Sequence, residues 1–278
     1  MKNCQSNKIG NVLRFAVILA IMFFAIAVEA QLDPNLVGWW KFDEGVGNIA
    51  YDSSGYGNHC TLQVNAEYIN DPNYVKIDSF VPGMSGNALQ LDGTWHTAYI
   101  PHADILEPTK QMTFSIWLKA DTLEKDCWFF NKGDITRRYF GIEEDGSNYK
   151  LNFDIHTIEI ATSLTSPITA AEFADNQWHL YTCVYDGEYA IIYRDGVLLN
   201  QLSCPGEIGS GGNGTIYLGS CSNYCPASDP GVVHYDGLMD DLRIYDRALS
   251  QQEILEMAGV IDGATNPVPA DGEKSVSI

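Results

Sequence analysis

Two pairs of adjacent carboxylates, Asp43-Glu44 and Asp240-Asp241, stand near opposite ends of the sequence. Ca²⁺ takes about six to eight oxygen ligands, so carboxylates concentrated in this way can hold it, and like charges held close repel without a cation. The plainer reading is solvated or salt-bridged carboxylates, because exposed ion pairs contribute little and need no functional reason. Trp95, Trp128 and Tyr224 offer a second chemistry, since they fall at loop or strand edges. Sugar recognition stacks an aromatic face on a pyranose ring and surrounds it with carboxylate and amide hydrogen bonds.

Other chemistries lack their residues. The six histidines do not cluster at any ligand spacing. Cys221-x-x-x-Cys225 has no second pair at zinc-ligand spacing. No G-x-S-x-G elbow, H-E-x-x-H helix or phosphate loop occurs. The glycine run 209–214 follows no strand-to-helix pattern, and Asn213-Gly214-Thr215 fits the N-glycosylation acceptor pattern.

The chain of 278 residues carries 16 Lys plus Arg against 36 Asp plus Glu, a formal net charge of −20. General nucleic-acid binding needs clustered basic residues and is excluded. Polyanionic glycans are disfavoured for the same reason, unless Ca²⁺ bridges them. A hydrophobic fraction of 45% with 15 Tyr, 11 Phe and 6 Trp is ample for a packed core. At the N-terminus, Lys2, Lys8 and Arg14 precede the apolar run Phe15 to Val28, and Val28-Glu29-Ala30 has the small-x-small pattern of a signal-peptidase site. That run is shorter than the roughly 20 residues a membrane span needs, so residues 1–30 read as a signal peptide, with an uncleaved anchor as the alternative. Cleavage after Ala30 removes Lys2, Lys8, Arg14 and Glu29, which leaves 13 basic and 35 acidic residues and a net charge of −22. No membrane span is then expected, and the protein is placed as secreted, extracellular, periplasmic or at the cell surface. Cys4 leaves with the signal, and the six remaining cysteines, Cys60, Cys127, Cys183, Cys204, Cys221 and Cys225, are disulfide candidates in an oxidising compartment, with their pairing open.

Short strands must position these residues. Phe114, Ile116 and Leu118 alternate with Ser115, Trp117 and Lys119, which is strand periodicity with one core face. Asp195-Gly196 joins Ala190 to Arg194 and Val197 to Leu199 with a dipeptide suited to a type I′ turn. Gly38 to Phe42, Ala88 to Leu91, Cys127 to Asn131, Tyr149 to Ile155, Trp178 to Tyr185, Thr215 to Gly219 and Asp241 to Tyr245 complete the expected strands. One helix is expected, about Gln251 to Ala258, with Ser250 and Glu253 forming a capping box and Gly259 ending it. The fold class is therefore all-β, a two-sheet sandwich or jelly roll with one short C-terminal helix. Residues 261–278 read as a linker.

Several segments together resemble the laminin G-like jelly roll of the concanavalin A-like lectin/glucanase superfamily, in its bacterial secreted form. They include Gly38-Trp39-Trp40-Lys41-Phe42-Asp43-Glu44-Gly45, Asp52-Ser53-Ser54-Gly55, Ser85-Gly86-Asn87-Ala88-Leu89, Gln177-Trp178-His179 and Gly237-Leu238-Met239-Asp240-Asp241-Leu242-Arg243-Ile244-Tyr245-Asp246-Arg247-Ala248-Leu249-Ser250. The resemblance spans residues 36–260 and implies a two-sheet antiparallel sandwich with its first and last strands adjacent. It also implies core positions for Trp40, Trp117 and Trp178. For calcium it implies Asp43 or Glu44, a carbonyl near Gly57, and Asp241, with Asp240 or Asp52 as substitutes. The tail resembles the start of an Ig-like module. The superfamily's glucanases carry Glu-x-Asp-x-x-Glu on one strand. Here Glu143-Glu144-Asp145-Gly146-Ser147-Asn148 ends in an amide that cannot supply the missing acid, and Asp145-Gly146 suits a hairpin turn. The function implied is a non-catalytic module that binds an extracellular glycan or protein, with Ca²⁺ as its stabilising ion. A glycoside hydrolase or polysaccharide lyase, and a structural or adhesion spacer, are the alternatives.

Overall fold

The structure, a computed structural model, describes residues 32–64, 79–93, 96–120, 127–132, 138–145, 148–209, 214–220 and 234–260. The expected signal peptide, the tail, Trp95, Tyr224, Cys221 and Cys225 lie outside these residues. In chain order the strands are β1 (Leu36–Trp40), β2 (Ile49–Ala50), β3 (Cys60–Val64), β4 (Phe80–Pro82), β5 (Asn87–Asp92), β6 (His96–Ile100), β7 (Met112–Lys119), β8 (Cys127–Lys132), β9 (Arg138–Asp145), β10 (Asn148–His156), β11 (Ala161–Thr169), β12 (His179–Tyr185), β13 (Tyr189–Arg194), β14 (Val197–Ser203), β15 (Ile216–Leu218) and β16 (Asp236–Tyr245). Two short helices accompany them, α1 (Ala170–Phe173) and α2 (Gln251–Met257).

The strands form two antiparallel sheets in a sandwich. The first has the order β14-β13-β12-β7-β16-β5-β4, with β1 also paired to β16. The second runs β11-β10-β9-β8-β15-β6-β3-β2. The expected adjacency of first and last strands is present, with Trp39 opposite Arg243 and Trp40 opposite Leu242. Inward residues alternate with outward ones on each strand, and the inward set closes the core between the sheets. Phe114 of β7 stacks on Phe130 of β8 with ring centroids 4.7 Å apart, and Phe140 and Phe153 pack around them.

Turn and cap chemistry follows the sequence closely. Asp195 and Gly196 both take positive φ, 51° and 78°, as a type I′ turn requires. Ser250 and Glu253 form the expected capping box on α2. This helix seats Ile254 against Leu36, Val184 and Tyr245 on the outer face of the first sheet. α1 was not expected, although Thr169 and Glu172 form a second capping box there.

Two expectations are corrected. Trp40 is fully buried, but Trp117 and Trp178 are only half-buried, because Trp117 alternates out of phase with the core residues Ile116 and Leu118. Cys60, Cys127, Cys183 and Cys204 are buried as thiols, not disulfides. Cys60 lies opposite Ala50, Cys127 opposite Ile142, and Cys183 between Phe114 and Ile192. No cysteine of these ladders therefore faces another, the placement that a Cα spacing of about 4.4–6.8 Å favours. Burial also pushes the Cys60 and Cys183 thiols above their ordinary pKa, which suppresses the reactive thiolate.

Candidate binding face

Of the three aromatic residues singled out by sequence, Trp128 falls within the described structure, half-buried on β8. Its neighbour Cys127 points into the core, so the indole faces outward from the second sheet. The ladder register places Trp128 opposite Gly141 of β9, Gly141 opposite Asn152 of β10, and Asn152 opposite Thr165 of β11. Gly141 is dictated by this arrangement. A Cβ there would stand 2.3 Å from the Cys127 carbonyl oxygen and 2.7 Å from Trp128 Cδ1.

A second row runs parallel to the first. Thr61 faces Tyr99, Tyr99 faces Tyr217, and Tyr217 faces Asn131. Beyond the Asn131–Tyr139 and Tyr139–Asp154 pairs, the row ends with Asp154 opposite Ser163. The alternation of β10 explains the polar members, because Leu151, Phe153 and Ile155 fill the core and leave Asn152 and Asp154 on the outer side. Asn152 Nδ2 donates to Asp154 Oδ1 at 2.8 Å and to Ser163 Oγ at 2.7 Å. Asn152 and Asp154 are 3% and 5% exposed, so the face has a buried polar floor with half-buried aromatic groups beside it. Tyr99, Asn131, Asn152, Asp154 and Tyr217 were not identified from sequence. The polar phase of Tyr149 to Ile155 was the available signal.

This surface can stack and hydrogen-bond a ligand. Asp154 lies opposite Tyr139 and Ser163, so its ladder row supplies no second carboxylate beside it. Asp145 ends β9 opposite Asn148, and Gly146 of the expected turn lies outside the described residues.

The residues expected to share calcium each have a hydrogen-bond partner within the protein. Asp43 Oδ1 accepts from the Asn87 N–H at 2.9 Å, Glu44 Oε1 from the Tyr51 N–H at 2.7 Å, and the Gly57 carbonyl from the His59 N–H at 3.0 Å. Asp240 Oδ2 accepts from the Met84 and Ser85 N–H groups at 2.8 and 3.1 Å. Asp241 turns elsewhere, accepting from Arg243 Nη2 at 2.6 Å and from Trp39 Nε1 at 2.5 Å. The substitute Asp52 accepts from the Trp39, Ser54 and Asn58 N–H groups. Among the described residues, no three His, Cys, Asp or Glu side chains are grouped to hold a metal ion. Each carboxylate instead fastens a loop or strand end.

The geometry defines a class, a two-sheet antiparallel sandwich with a polar and aromatic face on one sheet. The chain belongs to the concanavalin A-like lectin/glucanases superfamily, whose laminin G-type profile matches residues 92–255. No curated protein sequence matches it. Among solved structures it is similar to domain 4 of AbnA, a GH43 extracellular arabinanase from Geobacillus stearothermophilus, in complex with arabinotriose. That similarity has 21% identity and a TM-score of 0.58, covering 81% of this chain and 98% of that one. It is also similar to the binding domain of Paraclostridial Mosquitocidal Protein 1, with 15% identity, a TM-score of 0.60 and coverage of 82% and 52%. The binding domain of botulinum neurotoxin DC in complex with rat synaptotagmin II follows at 12% identity and a TM-score of 0.56, covering 81% and 51%. The chain thus spans about half the length of these toxin domains. At such identities the likeness shows the fold alone. No helix among the described residues is long and apolar enough to cross a membrane.

Proposed function

We propose that the protein is an extracellular, non-catalytic module that binds a neutral glycan across the outer face of its second sheet. The observation that carries this reading is the row Trp128, Gly141, Asn152 and Thr165, in which an indole and a buried amide are held two strands apart. Trp128 supplies the stacking platform. Asn131 supplies an amide partner for hydroxyl groups, beside the buried Asn152–Asp154 hydrogen bond. The arabinotriose complex of the arabinanase domain is in keeping with such a ligand on this fold.

The test is a glycan array read with the wild type and with Trp128→Ala, alongside a reducing-sugar release assay. Binding should weaken about tenfold in the variant, the loss of roughly 1.5 kcal/mol of aromatic contact. Equal binding by both proteins removes Trp128 from the site, and sustained sugar release by the purified wild type overturns the non-catalytic reading. A protein ligand is the second reading, favoured by the exposed Val197, Leu198 and Leu202 on the edge strand β14, at 55%, 45% and 45% exposure.

A further inference from the structure

The outer face of the first sheet holds a cleft of about 310 Å³. Across it the register aligns Gln90 of β5, Leu238 of β16 and Lys119 of β7. All three alternate with core residues, Leu89, Met239 and Leu118, so their side chains face outward together. Asn176, whose N–H donates to the Ala120 carbonyl at 2.8 Å, closes one end, and Asp236 stands at the rim. Among the described residues, Lys119 Nζ, the Gln90 amide and the Asn176 amide have no hydrogen bond or ion pair. An unpaired, half-buried lysine in a concave site is unusual company for a chain of 36 acidic residues.

We infer that this cleft is a second binding site, for a monocarboxylate sugar such as a uronate. Lys119 pairs with the carboxylate, Leu238 underlies the apolar face of the ring, and the Gln90 and Asn176 amides exchange water for its hydroxyl groups. One ammonium matches one negative charge. A phosphate dianion would meet Asp236 at the rim with only a single cation to balance it. The site lies on the opposite sheet from Trp128 and stands independently of the function proposed above.

Calorimetric titration with glucuronate, glucose and acetate tests it on the wild type, Lys119→Met, Gln90→Ala and Trp128→Ala, each with its melting temperature recorded. Glucuronate should bind saturably, with glucose and acetate each about tenfold weaker or more, since each lacks one half of the recognised group. Lys119→Met should weaken glucuronate binding by about tenfold or more, Gln90→Ala by about fivefold, and Trp128→Ala should leave it unchanged. No saturable glucuronate binding, equal binding of glucose, or an unchanged Lys119→Met overturns the site. Acetate binding as tightly as glucuronate overturns the sugar assignment in favour of a peptide carboxylate. Should Lys119→Met fail to fold, Gln90→Ala decides. A loss confined to Trp128→Ala assigns the binding to the other face.

Discussion

Asp240 shows how a carboxylate that looks like a metal ligand in sequence can be a structural clamp. It is 1% exposed, and its Oδ2 draws two N–H groups from the turn between β4 and β5. Gly83 makes the approach possible, since a Cβ there would stand 2.6 Å from that oxygen. Burial raises the Asp240 pKa from 3.8 to about 6, with the adjacent Asp241 charge adding to the rise and the two N–H groups opposing it. The folded-state value is raised, so the stabilisation is fully present below pH 3.8 and is lost as pH climbs through about 6. Urea unfolding of the wild type and Asp240→Asn between those limits checks this. The stability of the wild type relative to the variant should fall with rising pH by at most about 3 kcal/mol. A difference that is flat with pH would show that Asp240 titrates in the folded protein at its ordinary value.

At the scale of the element, β16 explains why two adjacent aspartates occur. Its first half pairs with β5, up to Met239 opposite Leu89, and its second half pairs with β1 from Leu242 onward. The register against β7 shifts between Asp240 and Arg243, and Asp241 takes φ 48° at that bulge. Asp is one of the few residues that adopts this conformation readily, and its carboxylate there binds Arg243 and Trp39. At this bulge both aspartates have hydrogen-bond partners within the protein. Chelator treatment should accordingly leave the melting temperature unchanged, and calcium should not raise it, because any ligand bound only to the folded state must raise it. A calcium-dependent rise would mean that these carboxylates rearrange around an ion. Strands with clear alternation, such as β7, β10 and β13, were legible in the sequence. β11 was not, because Thr162 and Ser166 occupy buried positions with Leu164 and Ile168, and Pro167 interrupts the run. Proline is tolerated there because β11 is the sheet edge.

For the whole molecule, the proposed binding face was legible only in fragments. Trp128 stood out by type, but Tyr99, Asn131 and Asp154 come from three separate strands that only the order of the second sheet sets side by side. Linear spacing carries no trace of that, whereas the −20 net charge is visible at once and acts on every charged ligand. It repels polyanions at long range, and the repulsion is screened beyond a Debye length of about 8 Å at physiological salt. The two faces should therefore differ in salt response. A neutral oligosaccharide held by Trp128 and Asn131 carries no charge for the field to act on, so its affinity should change less than about twofold over a tenfold rise in salt. Glucuronate at Lys119 gains from a local ion pair and loses to the acidic whole, and screening weakens both. The short-range pair survives better in a half-buried cleft, so Lys119→Met should make its residual glucuronate binding improve with salt while the wild type changes little. Titrations of both ligands at low and high salt, on both proteins, separate these terms. A wild type whose neutral-glycan binding collapses with salt would place a charged contact on the Trp128 face, and the pairing of roles between the two sheets would have to be reversed.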